Sequence, residues 1–213
     1  KDKVFLQSIG NTVKWTVVNL VVQLVAAMLL ALALNQKLKG RSVYRTLILV
    51  PWAVPHAIAA MTFTFLYNAN VGIINILAVK LGMITESVSW LGNVGSAFWC
   101  VILTAIWKGI PFQMIFILAA LQGISRDVYE SAEIDGASRW QQIKNVTLPG
   151  LKSTIIILTL MALGGIFRSD FGLFYQVPRD SGLLYSATNV IDTYVYRGLL
   201  QMGNVSMSAA AGV

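Results

Sequence analysis

The feature that most constrains this chain is a run of apolar residues long enough to cross a lipid bilayer. Residues 11–34 are predominantly apolar, with Lys14 near the start and with Asn19 and Gln23 as polar side chains further along. A helix needs about 20 mostly apolar residues to span the hydrocarbon core of a membrane. The chain is therefore predicted to cross a membrane as a helix near its beginning.

Further stretches repeat this pattern and indicate an all-α transmembrane fold. They are residues 46–67, 94–121 and 151–167, and a run that starts near Val205. Only 12% of the chain is charged, whereas a soluble domain carries roughly 25% charged residues. So little polar surface cannot cover a water-soluble particle, and we expect about five spanning helices.

The two ends of the sequence indicate a longer parent protein. The chain begins at Lys1 without a methionine, and it stops at Val213 while an apolar run is starting. We therefore expect these residues to be the core of a protein with six spans, truncated at both ends.

The distribution of basic residues predicts the orientation in the membrane. The short link 35–45 contains no acid and carries the basic residues Lys37, Lys39, Arg41 and Arg45. Loops rich in Lys and Arg face the cytoplasm. Alternation then places 122–149 in the cytoplasm and both 68–93 and 168–204 outside.

Several classes of function are excluded by composition. The net charge is +7, but the basic residues form neither a patch nor a motif interleaved with aromatics, so we expect no nucleic-acid partner. Cys100 and His56 lie in separate apolar stretches, so we expect no metal site. We also expect no catalytic residue. No Gly-x4-Gly-Lys-[Ser/Thr] phosphate loop occurs, so ATP would have to be bound by a partner.

Polar and aromatic side chains inside the predicted spans are candidates for a substrate path. They are Asn19, Gln23, Trp107, Lys108 and Gln113. A lysine at the centre of a spanning helix costs roughly 2.5–3.5 kcal/mol on insertion scales, so Lys108 is expected to face a protein interior or a wet cavity. Each of the five could instead pack or pair helices, and Lys108 could snorkel or pair with a neighbouring subunit's carboxylate.

The predicted cytoplasmic loop contains a short helix with recognisable ends. Ser125 and Asp127 can cap its amino end, and Gly136 is a stop signal. At helical spacing, Val128 and Ala132 line up with Gly136 as a stripe of small residues, while Glu130 and Glu133 form an acidic ridge elsewhere on the helix. A connector lying on the membrane surface would show a basic polar face and a bulky apolar one, which this helix lacks.

This loop resembles the EAA motif of ATP-binding cassette (ABC) importer permeases that depend on a binding protein. The motif is Glu-Ala-Ala, three residues, Gly, nine residues, and Ile-x-Leu-Pro. The matching residues here are Glu130-Ser131-Ala132, Gly136 and Val146-Thr147-Leu148-Pro149. Ser131 and Val146 depart from the pattern, and both changes are small.

The resemblance extends over nearly the whole chain. Segments 49–55, 65–68 and 72–75 are similar to sugar-importer permeases of the maltose-system type. Segments 170–177 and 189–196 are similar to the branch that handles fragments of complex polysaccharides.

The resemblance implies a type I ABC permease domain over 1–213, with an EAA coupling loop at 125–149. It implies a carbohydrate importer, for oligosaccharides from complex polysaccharides, that couples to a separate ATPase through docking residues in this loop. The implied docking residues are Glu130, Ser131, Ala132, Glu133, Asp135, Gly136, Leu148 and Pro149. If the substrate is a uronate, Lys108 could meet its carboxylate.

The resemblance also implies partners and a location. They are a second, different permease subunit, an ATPase dimer that holds ATP and Mg²⁺, an extracytoplasmic binding protein and membrane lipid. The location is the cytoplasmic membrane of a bacterium or archaeon. The alternatives are a permease for amino acids or osmolytes, or a secondary transporter, which would need acids inside its spans for ion coupling.

Overall fold

The computed structural model describes residues 2–36, 39–165 and 170–212. Within these ranges the chain forms helices and turns and no strand. Lys1, Lys37, Arg168, Val213 and the end of the predicted span 151–167 lie outside the described residues.

The helices follow one another with short connections. In chain order they are α1 (Lys3–Leu34), α2 (Arg41–Ala53), α3 (His56–Leu66), α4 (Ile73–Lys80), α5 (Val94–Gly123), α6 (Arg126–Ile134), α7 (Arg139–Gln142), a π-helical turn (Ile143–Thr147), α8 (Leu148–Gly150), α9 (Lys152–Gly164), α10 (Phe171–Gln176), a 3₁₀ turn (Gly182–Leu184), α11 (Tyr185–Thr188), α12 (Ile191–Leu200) and α13 (Val205–Gly212).

Two described helices, α1 and α5, are long and apolar enough to cross a membrane. Two pairs of consecutive helices are each bent at a short break: α2 with α3, and the helix from Arg139 to Gly150 with α9. Each pair would add one crossing if its two helices form a single span. The described helices therefore supply up to four crossings, against about five predicted. The fifth predicted span corresponds to α13, whose eight residues are fewer than a crossing requires.

The predicted span 46–67 is not one helix. It is divided between α2 and α3, which are bent by 94° at the break. Pro55 is the residue before α3, with φ −55° and ψ 144°. Proline has no N–H to donate and disfavours helical geometry in the residue before it. Pro51 and Pro111, by contrast, lie inside α2 and α5.

The chain divides into two compact units. Unit 1 comprises 1–19, 54–107 and 164–213, and unit 2 comprises 20–53 and 108–163. The core of unit 1 contains the fully buried side chains Leu173, Phe174, Val177, Val101 and Val190. The core of unit 2 contains Ala27, Ala31, Met114, Ile117 and Leu151.

Each core is assembled from helices distant in sequence. In unit 2, Ala27 and Ala31 lie one turn apart on α1 and are fully buried, and such small side chains let helix backbones approach closely. In unit 1, the Trp15 and Phe174 rings meet edge to face, with centroids 6.0 Å apart.

A single buried asparagine organises the connection between α3 and α5 in unit 1. The Asn75 amide nitrogen donates to the carbonyls of Asn68, Ala69 and Val88. Its oxygen accepts from the Val88 N–H at 3.1 Å and from the Trp90 indole at 2.9 Å. Asn75 is 1% exposed, so its side chain replaces the backbone pairing that an irregular loop lacks.

Candidate functional site

The predicted helix in the loop between α5 and α9 is present, with the predicted ends. The Ser125 hydroxyl accepts from the Asp127 N–H at 3.3 Å and so caps α6. At the other end Gly136 has φ +77°. The Gly136 N–H donates to Glu133 and the Ala137 N–H to Ala132, at 3.0 and 2.9 Å. This pair of hydrogen bonds is a Schellman motif, which glycine accommodates without steric strain.

The surface of α6 is open to its surroundings. None of its residues is buried. Of the predicted docking residues, Glu130, Ser131, Glu133, Asp135 and Gly136 are exposed, and Ala132 is half-buried. The Arg126 guanidinium pairs with Glu130 at 2.8 Å along the helix. The predicted acidic ridge is therefore accessible, with one of its two carboxylates partly neutralised.

Two large apolar side chains of this loop are also exposed, and neither belongs to the docking residues predicted from the sequence. Ile134 is 87% exposed and Trp140 is 73% exposed. Because this loop is predicted to lie in the cytoplasm, the two side chains are candidates for a contact surface with a partner protein. In the sequence, this exposure could have been predicted for Ile134, which is an isolated bulky apolar residue at the end of a polar helix.

A side-chain contact ties α6 to the helix that follows it. The Tyr129 and Thr147 hydroxyl oxygens lie 2.9 Å apart. Tyr129 is half-buried, and Thr147 is 2% exposed. Nothing in the sequence indicates this contact, because it joins residues 18 positions apart.

Pro149 lies in the first turn of the short helix α8, which continues a longer helical run rather than opening a separate span. A helix runs from Arg139 to Gly150, capped at its start by Ser138, whose hydroxyl accepts from the Gln141 N–H. Immediately before Leu148 and Pro149 this helix widens into the π-helical turn Ile143–Thr147. In a regular α-helix the proline ring would clash with the carbonyl four residues earlier, and a π-helical turn changes that spacing. Both Leu148 and Pro149 are exposed.

The predicted substrate-path residues of unit 2 are engaged in contacts within the protein. Gln113 donates to Gln23 at 3.0 Å, which joins α5 to α1. Gly109 leaves room for this pair, because a methyl group there would overlap the Gln23 amide. Lys108 is 8% exposed, and its ammonium donates to the Trp52 carbonyl at 3.3 Å.

The Trp52 carbonyl lies in the last turn of α2, where carbonyl groups have no partner along the helix. A lysine at the end of a helix can hydrogen-bond these groups. Lys108 therefore supports the end of α2, as well as being a candidate for the substrate path.

The two path candidates of unit 1 have different surroundings. The Asn19 amide donates to the Trp15 carbonyl on its own helix at 3.2 Å, and Asn19 is 5% exposed. Trp107 meets the Phe63 ring edge to face at 5.1 Å and stays 38% exposed. The structure thus pairs Gln23 with Gln113, and it places Asn19 against the Trp15 carbonyl and Trp107 against the Phe63 ring.

Unit 1 also contains a buried ion pair that the sequence analysis did not predict. The Arg197 guanidinium contacts one Asp180 carboxylate oxygen at 2.8 Å, through both Nε and Nη2. It also donates to the Asn189 side-chain oxygen and lies over the Tyr185 ring at 3.8 Å. Arg197 is 2% exposed. This contact fixes the segment that leads from α10 to α12.

Among the described residues, no group of three or more His, Cys, Asp or Glu side chains could hold a metal ion. Cys100 is a buried free thiol. His56 is half-exposed and lies 3.6 Å from the Asp170 carboxylate.

Comparison with known proteins identifies relatives over the whole chain. A model of the family described as binding-protein-dependent transport system inner membrane component matches residues 23–210. The trehalose/maltose transport system permease protein MalF of Thermococcus litoralis is 40% identical over 157 residues, which is 74% of this chain and 52% of that protein. The chain thus spans about half the length of this relative.

Two further similarities cover the whole chain. The sn-glycerol-3-phosphate transport system permease protein UgpA of Yersinia pestis is 31% identical and is covered over 70% of its length. A solved bacterial ABC transporter involved in the import of the acidic polysaccharide alginate has a chain that superposes with a TM-score of 0.90. That chain is 29% identical to this one and is covered over 73% of its length.

Proposed function

The chain belongs to the family of binding-protein-dependent transport system inner membrane components, and from this premise we propose that it forms half of the translocation pathway of an ATP-driven carbohydrate importer. The predicted fold, that of a type I ABC importer permease, is confirmed by the similarity to a solved ABC transporter over the whole chain. The observation that carries the proposal is the EAA-type loop, which the fold displays as a capped helix with no buried residue.

The proposed coupling surface is α6 with the residues that follow it. Helix caps stabilise the helical conformation, and α6 is capped at both ends. We therefore expect α6 to stay helical when the ATPase binds it. The exposed Glu130, Glu133 and Asp135 provide charge for basic groups of an ATPase, and Ile134 provides an apolar anchor. The stripe that contains Ala132 and Gly136 allows close approach.

The remaining predicted docking residues, Leu148 and Pro149, lie between the proposed coupling surface and α9. Leu148 and Pro149 follow the π-helical turn, and the chain bends by 58° before α9. The Tyr129–Thr147 hydrogen bond connects α6 to that turn. We propose that force on α6 reaches α9 by this route.

The proposal implies a complete set of partners. A second permease subunit completes the pathway, an ATPase dimer binds ATP and Mg²⁺, and an extracytoplasmic binding protein delivers the substrate. This chain contributes no catalytic residue. It is a membrane component by family, and we propose a multi-pass arrangement in a bacterial or archaeal cytoplasmic membrane, with 122–149 in the cytoplasm.

The proposed substrate is an oligosaccharide released from a complex polysaccharide. This rests on the relatives named for trehalose and maltose and for alginate. Of the five path candidates, Trp107 keeps the largest exposed fraction, and an aromatic face can stack on a sugar ring. The relative named for sn-glycerol 3-phosphate provides the competing class, a small phosphorylated polyol.

The experiment is uptake into vesicles that contain the complete transporter, with its binding protein and ATP. Ile134→Asp is expected to prevent co-purification of the ATPase and to abolish uptake, because a charge replaces the apolar anchor. Leu183→Asp is the matched control, since Leu183 is 85% exposed in the segment predicted to lie outside. Uptake of glycerol phosphate but of no carbohydrate would reject the substrate class. Normal ATPase binding by Ile134→Asp would reject the coupling surface.

A further inference from the structure

Unit 1 contains an open cleft between the segment after α3 and the segment after α10. Its volume is about 360 Å³, and its lining includes Asn68, Asn70, Ser89, Arg179 and Ser181. Ligand sites for small molecules start at roughly 300 Å³. Both segments belong to loops predicted to lie outside the membrane, so the cleft is accessible from the side on which substrate arrives.

The polar groups of the cleft are available to a ligand. The side chains of Asn70, Ser89, Arg179 and Ser181 make no hydrogen bond or ion pair with any described residue. Asn68 uses its side-chain oxygen to accept from the N–H groups of residues 70 and 71, which leaves its amide nitrogen available. Amides, hydroxyls and a guanidinium together are the donors and acceptors that sugar hydroxyl groups require.

The charge of the cleft is positive. No acidic side chain is among the described residues that line it. Asp180 follows Arg179 directly, but its carboxylate is committed to Arg197 and to the Gln201 amide. The guanidinium of Arg179 therefore has no counter-ion within the described part of the chain, and such a group binds carboxylates in a planar, bidentate manner.

The backbone at Arg179 is in a conformation that favours glycine. Its φ is +54°, and the N–H groups of Arg179 and Asp180 donate to Gln176 and Tyr175 as in a Schellman motif. Glycine normally occupies this position because other side chains are strained there. Strained backbone is found preferentially at functional sites, and here it occurs at a basic residue that lines the cleft.

From these observations we propose that the cleft is a binding subsite for one or two residues of an acidic saccharide, with Arg179 contacting a carboxylate and the amides and hydroxyls contacting sugar hydroxyl groups. This inference rests on the proposed function, because it names the substrate class of the same importer. The proposal assigns the substrate carboxylate to Arg179 in the outer cleft, whereas the sequence suggested Lys108 as its partner.

The test uses the complete transporter in lipid nanodiscs without its binding protein. The probes are a uronic acid trisaccharide, the same trisaccharide with its carboxyl groups reduced to alcohols, and sn-glycerol 3-phosphate. Binding is measured by calorimetry for the wild type and for Arg179→Gly, Arg179→Lys and Lys80→Gln. Arg179→Gly removes the side chain while suiting the backbone, so a loss of binding cannot come from local misfolding. Lys80, exposed in the other outer loop, is the charge-matched control.

We expect the uronate to bind the wild type about tenfold more tightly than its reduced form, as for loss of one charged hydrogen-bonded pair. Arg179→Gly should abolish this difference, whereas Arg179→Lys should keep most of it and Lys80→Gln all of it. Equal binding by wild type and Arg179→Gly, preference for glycerol phosphate, or no saccharide binding would each overturn the proposal. The affinity of the same nanodiscs for added binding protein is measured separately, and an Arg179→Gly defect confined to that affinity would also overturn the proposal, because it would indicate a protein-docking site.

A parallel uptake measurement keeps the two proposals apart. If vesicles with wild-type transporter import no carbohydrate, the proposed function fails, whatever the cleft binds. If they import carbohydrate and Arg179→Gly neither binds less uronate nor transports it less, only the assignment of the cleft fails.

Discussion

The hydroxyl groups of Tyr129 and Thr147 lie 2.9 Å apart and join α6 to the π-helical turn. Since no residue of α6 is buried, little apolar packing holds this helix in place. The hydrogen bond is therefore a specific connection between the proposed coupling surface and the helix that leads into α9.

Tyr129→Phe should loosen α6 without unfolding the protein. Loss of one hydrogen bond costs about 1 kcal/mol, and amide hydrogen exchange over 126–134 should then accelerate about fivefold. ATP hydrolysis stimulated by the binding protein should fall. Tyr44→Phe, at an exposed tyrosine of α2, should change neither quantity. Unchanged exchange in Tyr129→Phe would contradict the proposed connection.

Comparing Gly136→Ala with Gly82→Ala should distinguish the effect of backbone strain from the effect of a disturbed docking surface. Gly136 has φ +77° and nothing near its missing side chain, and Gly82 after α4 has φ +70° and equally open space. Both glycines close Schellman motifs, so alanine should cost about 1 kcal/mol at each. Only Gly136→Ala should reduce stimulated ATP hydrolysis in vesicles. Equal losses in both variants would mean that strain alone, and not the docking surface, is responsible.

Lys108→Met should destabilise the transporter rather than change its substrate affinity. The Trp52 carbonyl would lose a charged donor, and leaving this part-buried acceptor unsatisfied costs about 1 kcal/mol. The thermal unfolding temperature and the maximal uptake rate should fall, with KM unchanged. Lys108→Arg keeps a donor and should recover part of the stability. A rise in KM with normal stability would instead place Lys108 in the substrate path.

Asn75→Asp should be as damaging as Asn75→Ala, although it preserves the shape of the side chain. The Asn75 amide nitrogen faces three carbonyl oxygens, and a carboxylate there would be repelled by each of them. Both variants should therefore lose about 3 kcal/mol or more of unfolding free energy, since buried polar groups are left unpaired. Chemical denaturation of the purified transporter would measure this. An Asn75→Asp variant close to wild type would refute this account of the loop.

The parts of the fold that sequence patterns predicted are those specified locally. The α6 helix was predicted at both ends because Ser125 and Gly136 act through their own neighbours, by an N-terminal cap and a positive φ. The apolar runs predicted α1 and α5 because length and hydropathy alone decide whether a helix can span a bilayer.

The parts that were missed depend on contacts between distant residues. Residues 46–67 were predicted as one span, because sequence alone does not show whether neighbouring groups can compensate for the helical hydrogen bond that Pro55 removes. Nothing in the sequence distinguished Arg197 from the other residues of the predicted outer loop 168–204, whereas the fold buries it against Asp180 and Asn189. Arg179 gave no signal at all, since nothing in a sequence marks a non-glycine residue that will adopt φ +54°.

The way in which α2 ends predicts that two positions of this chain vary together among homologous proteins. A chain whose helix ran on without interruption would satisfy its own carbonyl groups, and the Trp52 oxygen would no longer be open to a donor from position 108. Pro55 and Lys108 should therefore be gained or lost together among homologous chains, a correlation that an alignment would reveal without any biochemistry.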